Sequence, residues 1–111
     1  MEGKNRACVL TALKTMEFRD VPMPEPAKGE ILMKLEAVGI CGSDVHYYSH
    51  GRIGDFVVDF PFILGHECAG TVVALGEGVT DLNVGDRVAL EPGVPCGKCV
   101  ECRSGRYNLC P

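Results

Sequence analysis

Cys96, Cys99, Cys102 and Cys110 follow a Cys-x-x-Cys-x-x-Cys-x7-Cys pattern near the end of the chain. Thiolates are soft ligands, and four of them suit a closed tetrahedral zinc site. Two-residue spacers let one tight loop wrap a single ion. Gly97 eases the backbone within that loop, and Lys98 and Arg103 are placed to offset part of the thiolate charge. A shell filled by sulfur leaves no position for water or substrate, so this zinc site is expected to be structural. Binding of this kind supplies on the order of 10 kcal/mol of apparent free energy, enough to hold a loop that has no core of its own. The competing readings are free or disulfide-linked cysteines and an iron–sulfur cluster, whose known run spacings differ.

The chain has seven cysteines, an odd number that forbids complete pairing. Nothing directs secretion, where disulfides would be the first reading. The opening Met-Glu-Gly-Lys-Asn-Arg is charged, and the apolar residues 7–13 are broken by Thr11. No run approaches the roughly 18 apolar residues of a membrane span. The expectation is a cytoplasmic protein without a membrane partner. A net charge of −4 argues against nucleic acid as the main partner, because phosphate binding needs a Lys/Arg excess on one face. The 111 residues suit one domain, with a real though marginal core.

Strand signals dominate the pattern. Residues 6–10 and 16–21 read as short strands, followed by the stiff Pro22-Met23-Pro24-Glu25-Pro26 connection and a turn at Lys28-Gly29. Residues 30–38 alternate, with Ile31, Met33, Leu35 and Ala37 on one face and Lys34 and Glu36 on the other, as in a half-buried strand. In residues 39–54 the alternation stops. Ser43-Asp44 is expected to cap a short helix over residues 45–49, and Gly51 and Gly54 make the next stretch a loop. Residues 68–75 read as a buried strand and 87–90 as another short one. From Glu91 onward only loop is expected. Cys8 and Cys68 sit inside apolar strands and read as core. Five or six short strands with one small helix predict a mainly β fold, an antiparallel barrel or sandwich. The chain stops at Pro111, directly after a candidate ligand, and no Gly-x-Gly-x-x-Gly is present. Those features suggest a piece of a longer protein and give no nucleotide-binding βαβ unit.

A second constellation joins Cys41-Gly42-Ser43-Asp44-Val45-His46 to Gly65-His66-Glu67. Cys41, His66 and Glu67 offer a sulfur, an imidazole and a carboxylate, the three protein ligands a catalytic zinc uses while leaving one position open. Asp44 is placed to orient His66 from behind. Ser43 is a candidate to touch a metal-bound oxygen, and His46 to pass its proton to solvent. Each residue also has a bland reading: Cys41 as a small apolar side chain, His46 and His50 as loop surface, Glu67 as a solvated carboxylate. Two other motifs fail. His66-Glu67-Cys68-Ala69-Gly70 lacks the second His of a zinc protease. Pro95-Cys96-x-x-Cys99 lacks the His-x-Glu half of a zinc deaminase, since His66 and Glu67 are adjacent.

Together these residues resemble the zinc-dependent medium-chain alcohol dehydrogenases. The matching parts are Gly39-Ile40-Cys41-Gly42-Ser43-Asp44, Gly65-His66-Glu67 with Ala69-Gly70, Val84-Gly85-Asp86-Arg87-Val88, and the cysteine loop. Within that family the sequence most resembles the sorbitol (L-iditol) and xylitol dehydrogenases. Val45-His46-Tyr47-Tyr48, the stretch from His50 through Val58, and Gly105-Arg106-Tyr107-Asn108-Leu109 carry that narrower likeness.

The resemblance implies a GroES-like, partly open antiparallel β-barrel over residues 1–111, truncated before the rest of the domain and before a Rossmann NAD domain. It implies catalytic zinc on Cys41 and His66. Glu67 is the third ligand in the sorbitol dehydrogenase pattern; in the alcohol dehydrogenase pattern a later residue completes the site and the corresponding Glu stands behind the metal. Tyr47 resembles a substrate-side residue. The implied activity is oxidation of a secondary hydroxyl of a small-molecule polyol, with zinc as Lewis acid, Ser43 and His46 as the proton path and NAD(H) as hydride carrier. A homotetramer is implied for the full-length protein, and an isolated chain of these residues is expected to be inactive.

Overall fold

The computed structural model describes residues 3–111. Among the described residues the chain is mainly β, as expected, with its strands in three antiparallel sheets and no closed barrel. The first sheet has the order β2-β1-β6, from β1 (Asn5–Ala12), β2 (Thr15–Val21) and β6 (Phe62–Ile63). The second has the order β3-β7-β8, from β3 (Ile31–Gly39), β7 (Glu67–Leu75) and β8 (Arg87–Ala89). A hairpin of β4 (Arg52–Ile53) and β5 (Phe56–Val57) completes the set.

The core is thinner than the length suggests. Val9 and Leu10 of β1, Val58, and Val72 of β7 are the buried apolar residues among those described. The radius of gyration is 16.1 Å, against about 13 Å for a compact domain of this length. The extents of 43 × 41 × 20 Å describe a slab. Cys8 and Cys68 are half-buried rather than core residues. No described helix is long and apolar enough to cross a membrane.

Four local expectations change, the fourth at the start of α1. The alternation of β3 is broken by register shifts between Leu32 and Met33 and between Leu35 and Ala37. Such irregularities turn side chains off the two-residue period: Ile31, Leu32 and Met33 are all half-buried while Leu35 is exposed. The stretch read as loop after His50 contains the β4–β5 hairpin, turned at Gly54-Asp55 with Gly54 at φ +57°. A Gly-Asp pair between Arg-Ile and Phe-Val is a short hairpin signal. Finally, the segment after Glu91 is not wholly loop. It holds a one-turn helix α2 (Val100–Arg103) and a 3₁₀ turn at Tyr107–Leu109.

The helix α1 (Gly42–His50) begins earlier than expected. Its N-cap is Cys41, and Asp44 occupies the third helical position. The Asp44 carboxylate reaches back to accept the Cys41 backbone N–H, at 3.1 Å. That satisfies a donor the helix cannot pair internally. Gly51 ends the helix in the left-handed region, φ +71°, and its N–H reaches the Tyr47 carbonyl at 2.9 Å.

Candidate metal centres

Strand register builds the first centre. In the β3–β7 ladder Gly39 faces Glu67. The chain leaves β3 at Gly39 and reaches Cys41 two residues later, while His66 immediately precedes β7. Residues 25 positions apart in sequence therefore meet at one end of the sheet. Cys41, His66 and Glu67 each present a ligand atom, and these atoms lie within 4.8 Å of one another. Cys41 and His66 are half-buried and Glu67 is exposed.

Asp44 stands behind this group. It is the buried charged residue among those described, 8% exposed. Its Oδ2 holds the Cys41 N–H, and its Oδ1 lies 3.4 Å from Nδ1 of His66. A carboxylate on one imidazole nitrogen fixes the ring and leaves the other nitrogen for a metal. The donor set of thiol, imidazole and carboxylate fits a three-ligand zinc site with one open position.

Two clefts flank the centre. One is lined by Gly39, His66, Glu67, Leu90 and Pro92. The other is mostly apolar, with Met16, Val38, Ile40, Val45 and Leu64 around Asp44.

Ser43 and His46 lie on α1, the helix that starts directly after Cys41. Among the described residues no side-chain hydrogen bond ties either to the three ligands. His46 is exposed and its ring centroid is 5.7 Å from that of His50. Tyr47 is half-buried. Its ring meets Phe56 at 6.0 Å and Phe62 edge-on at 5.9 Å, so it also pins α1 to β5 and β6.

The second centre is local. Cys96, Cys99, Cys102 and Cys110 bring four sulfur atoms within 4.8 Å of one another, and all are unpaired thiols. Gly97 takes φ +75°, a left-handed turn that its missing side chain permits. Backbone N–H groups point at the sulfurs, a source of charge compensation besides Lys98 and Arg103. The N–H groups of Lys98 and Cys99 each point at Cys96 Sγ at 3.3 Å; Cys102 N–H points at Cys99 Sγ and Cys96 N–H at Cys110 Sγ, both at 3.4 Å. These donors carry no side-chain signature, so the sequence could not show them. The Lys98 and Cys99 N–H groups, with the Cys110 and Cys99 sulfurs adding to them, lower the Cys96 thiol to about 6. Burial, with the neighbouring sulfurs adding to it, raises Cys102 to about 11. One sulfur is thus ready as a thiolate near neutrality while its neighbour keeps its proton. The four-sulfur set fits a closed tetrahedral zinc site.

The sequence model of the alcohol dehydrogenase GroES-like domain matches residues 27–110. A sorbitol dehydrogenase of Bacillus subtilis (strain 168) is 55% identical over 106 residues, 96% of this chain and 30% of the relative. A protein named "Probable D-xylulose reductase A" from Aspergillus terreus is 48% identical over 111 residues, 99% of this chain and 31% of the relative. Acetophenone reductase from Geotrichum candidum, solved with NAD, superposes with a TM-score of 0.81 at 41% identity, covering 99% of this chain and 32% of that one. The chain spans about a third of the length of the proteins it matches.

Proposed function

The chain belongs to the alcohol dehydrogenase GroES-like domain family, and from that premise we propose that it is the metal- and proton-handling part of a zinc- and NAD-dependent polyol dehydrogenase. The proposed reaction converts a secondary hydroxyl of a sorbitol- or xylitol-type polyol to a ketose. The observation that carries it is the Cys41, His66 and Glu67 cluster backed by buried Asp44. The polyol assignment draws on the sorbitol dehydrogenase and xylulose reductase relatives.

Cys41, His66 and Glu67 would hold a zinc ion, which would supply a Lewis acid for a secondary hydroxyl. Asp44 keeps His66 in one orientation and ties the Cys41 backbone to the start of α1. Ser43, two residues past Cys41, would relay the hydroxyl proton, accepting it while giving its own through water to the imidazole of exposed His46, which releases it to solvent. Tyr47 shapes the substrate side from its perch on Phe56 and Phe62. The four cysteines hold a second, structural zinc and take no part in proton movement. Nothing in the sequence offers a dinucleotide-binding motif, so the isolated chain is expected to lack turnover. The cytoplasm is the proposed compartment, and the full-length protein is proposed to be a homotetramer.

A second reading keeps the site and changes the substrate. The likeness to an acetophenone reductase favours it, since that name carries an aromatic ketone rather than a polyol. A panel of sorbitol, xylitol, threonine, butanediol, simple alcohols and 1-phenylethanol, assayed with NAD on the intact gene product, separates the two by kcat/KM. Zinc-dependent NAD reduction with sorbitol or xylitol as the best substrate supports the polyol reading. Its absence with both polyols overturns it.

A further inference from the structure

Glu67 is the exposed member of its ligand set, yet its carboxylate stands with Cys41 and His66. Across the ladder from it a side chain is missing. Its cross-strand partner is Gly39. A Cβ placed on Gly39 would lie 2.9 Å from Glu67 Oε2, 3.3 Å from Glu67 Cβ and 3.6 Å from the Glu67 carbonyl oxygen. All three contacts are with one residue. The backbone does not demand glycine here, because Gly39 is not among the residues at positive φ. The space above it is what the carboxylate occupies.

Gly70 on the same ladder makes the contrast. A Cβ there would meet the Lys34 carbonyl carbon at 2.8 Å and the Leu35 Cα at 3.1 Å. Those are backbone atoms that cannot swing aside, so Gly70 serves strand approach. At Gly39 the nearest obstacle is the far end of a flexible side chain. An added methyl displaces the carboxylate, and its 3.3 Å approach to Glu67 Cβ asks the two strands to give by only a few tenths of an ångström.

We propose that Gly39 is a positioning residue for the three-ligand centre: its missing side chain lets the Glu67 carboxylate stand with Cys41 and His66. The proposal rests on the reading of that cluster as a metal centre. It also bears on whether Glu67 is a ligand at all, since the carboxylate is a ligand only while that space is open. A larger residue at this position would convert a three-ligand site into a two-ligand one without touching a ligand.

The test compares the wild-type chain with Gly39→Ala, Glu67→Ala and the double variant. The readouts are zinc content after equilibration in a chelator buffer, the visible spectrum of the Co²⁺-loaded protein, and Tm. Wild type is expected to hold about two equivalents, one per centre. Gly39→Ala should keep the four-cysteine metal and weaken the second by about 10–100-fold, the usual scale for a lost supporting contact. Its Co²⁺ bands from that centre should move to those of Glu67→Ala. In the Glu67→Ala background, Gly39→Ala should change metal affinity no further. Wild-type affinity and spectrum in Gly39→Ala overturn the proposal, as do additive losses in the double variant. Should Gly39→Ala fail to fold, a folded double variant supports the clash with Glu67, and an unfolded one overturns it. A wild type that holds one equivalent fells the metal-centre reading itself, and the proposal with it.

Discussion

The Asp44 carboxylate stands 3.4 Å from His66, Oδ1 to Nδ1, and its other oxygen holds the Cys41 backbone N–H. One buried side chain thus ties two candidate ligands that arrive from different strands. Removing its charge should loosen both. Asp44→Asn keeps an acceptor for the Cys41 N–H and loses the negative charge facing His66. It is expected to weaken metal at the three-ligand centre by about 10–100-fold, measured by Co²⁺ or Zn²⁺ competition. Asp44→Ala removes the helix contact too and should also lower Tm. Unchanged affinity in both variants would show that His66 needs no such support.

The two centres should separate stability from chemistry. Cys96→Ser strips one sulfur from a loop with no buried apolar residue of its own. It is expected to lower Tm by roughly 10 °C and to expose residues 92–110 to hydrogen exchange. His66→Ala should leave Tm within a few degrees and abolish turnover in the intact gene product. Equal losses of Tm in the two variants would sink that division.

In the metal-free chain the cysteine loop should show a reactivity order. Backbone donors lower Cys96 to about 6, so it is largely thiolate at pH 7. Cys102, raised to about 11, stays protonated. Mass spectrometry after brief iodoacetamide treatment should find Cys96 alkylated first and Cys102 last. The Cys96 rate should rise through about pH 6, well below an ordinary thiol. The sign for stability follows: because the folded value is lowered, the stabilising N–H···S contacts are fully present above the ordinary thiol range. They are lost as pH falls through about 6. Bound zinc should suppress the reaction at all four cysteines.

Tyr47 carries two roles that substitution can part. Its ring contacts with Phe56 and Phe62 anchor α1. Tyr47→Ala is expected to cost about 2 kcal/mol of stability, from lost packing of a half-buried ring. Tyr47→Phe retains the ring and should hold Tm near wild type. If the hydroxyl meets substrate, Tyr47→Phe raises KM for the polyol in the intact gene product with Tm unmoved. An unchanged KM assigns Tyr47 to packing alone.

Legibility followed distance along the chain. β1, β2, β7 and β8 could be read to within a residue or two, because each depends on its own pattern. The break in β3 alternation could not, since a register shift is decided by the partner strand. The start of α1 lies upstream of the expected one for a different, local reason. Ser43-Asp44 carries the capping residue types, but the Asp44 carboxylate reaching Cys41 moved the cap upstream. The one-turn helix α2 is capped by the Cys99 sulfur, an acceptor that pattern rules do not weigh.

The sequence by itself determined the four-cysteine centre. Its ligands lie within fifteen residues, and short spacers around a left-handed Gly97 leave one geometry that gathers four sulfurs. It also supplied the types at the other centre, a thiol, an imidazole and a carboxylate, though types alone do not meet. Only the tertiary structure decided that they do. The antiparallel pairing of β3 with β7 sets Gly39 against Glu67, and a one-residue slip would carry Glu67 to the opposite face. The register also places the empty side of Gly39 beneath the carboxylate, a relation between positions 28 residues apart that no local pattern encodes.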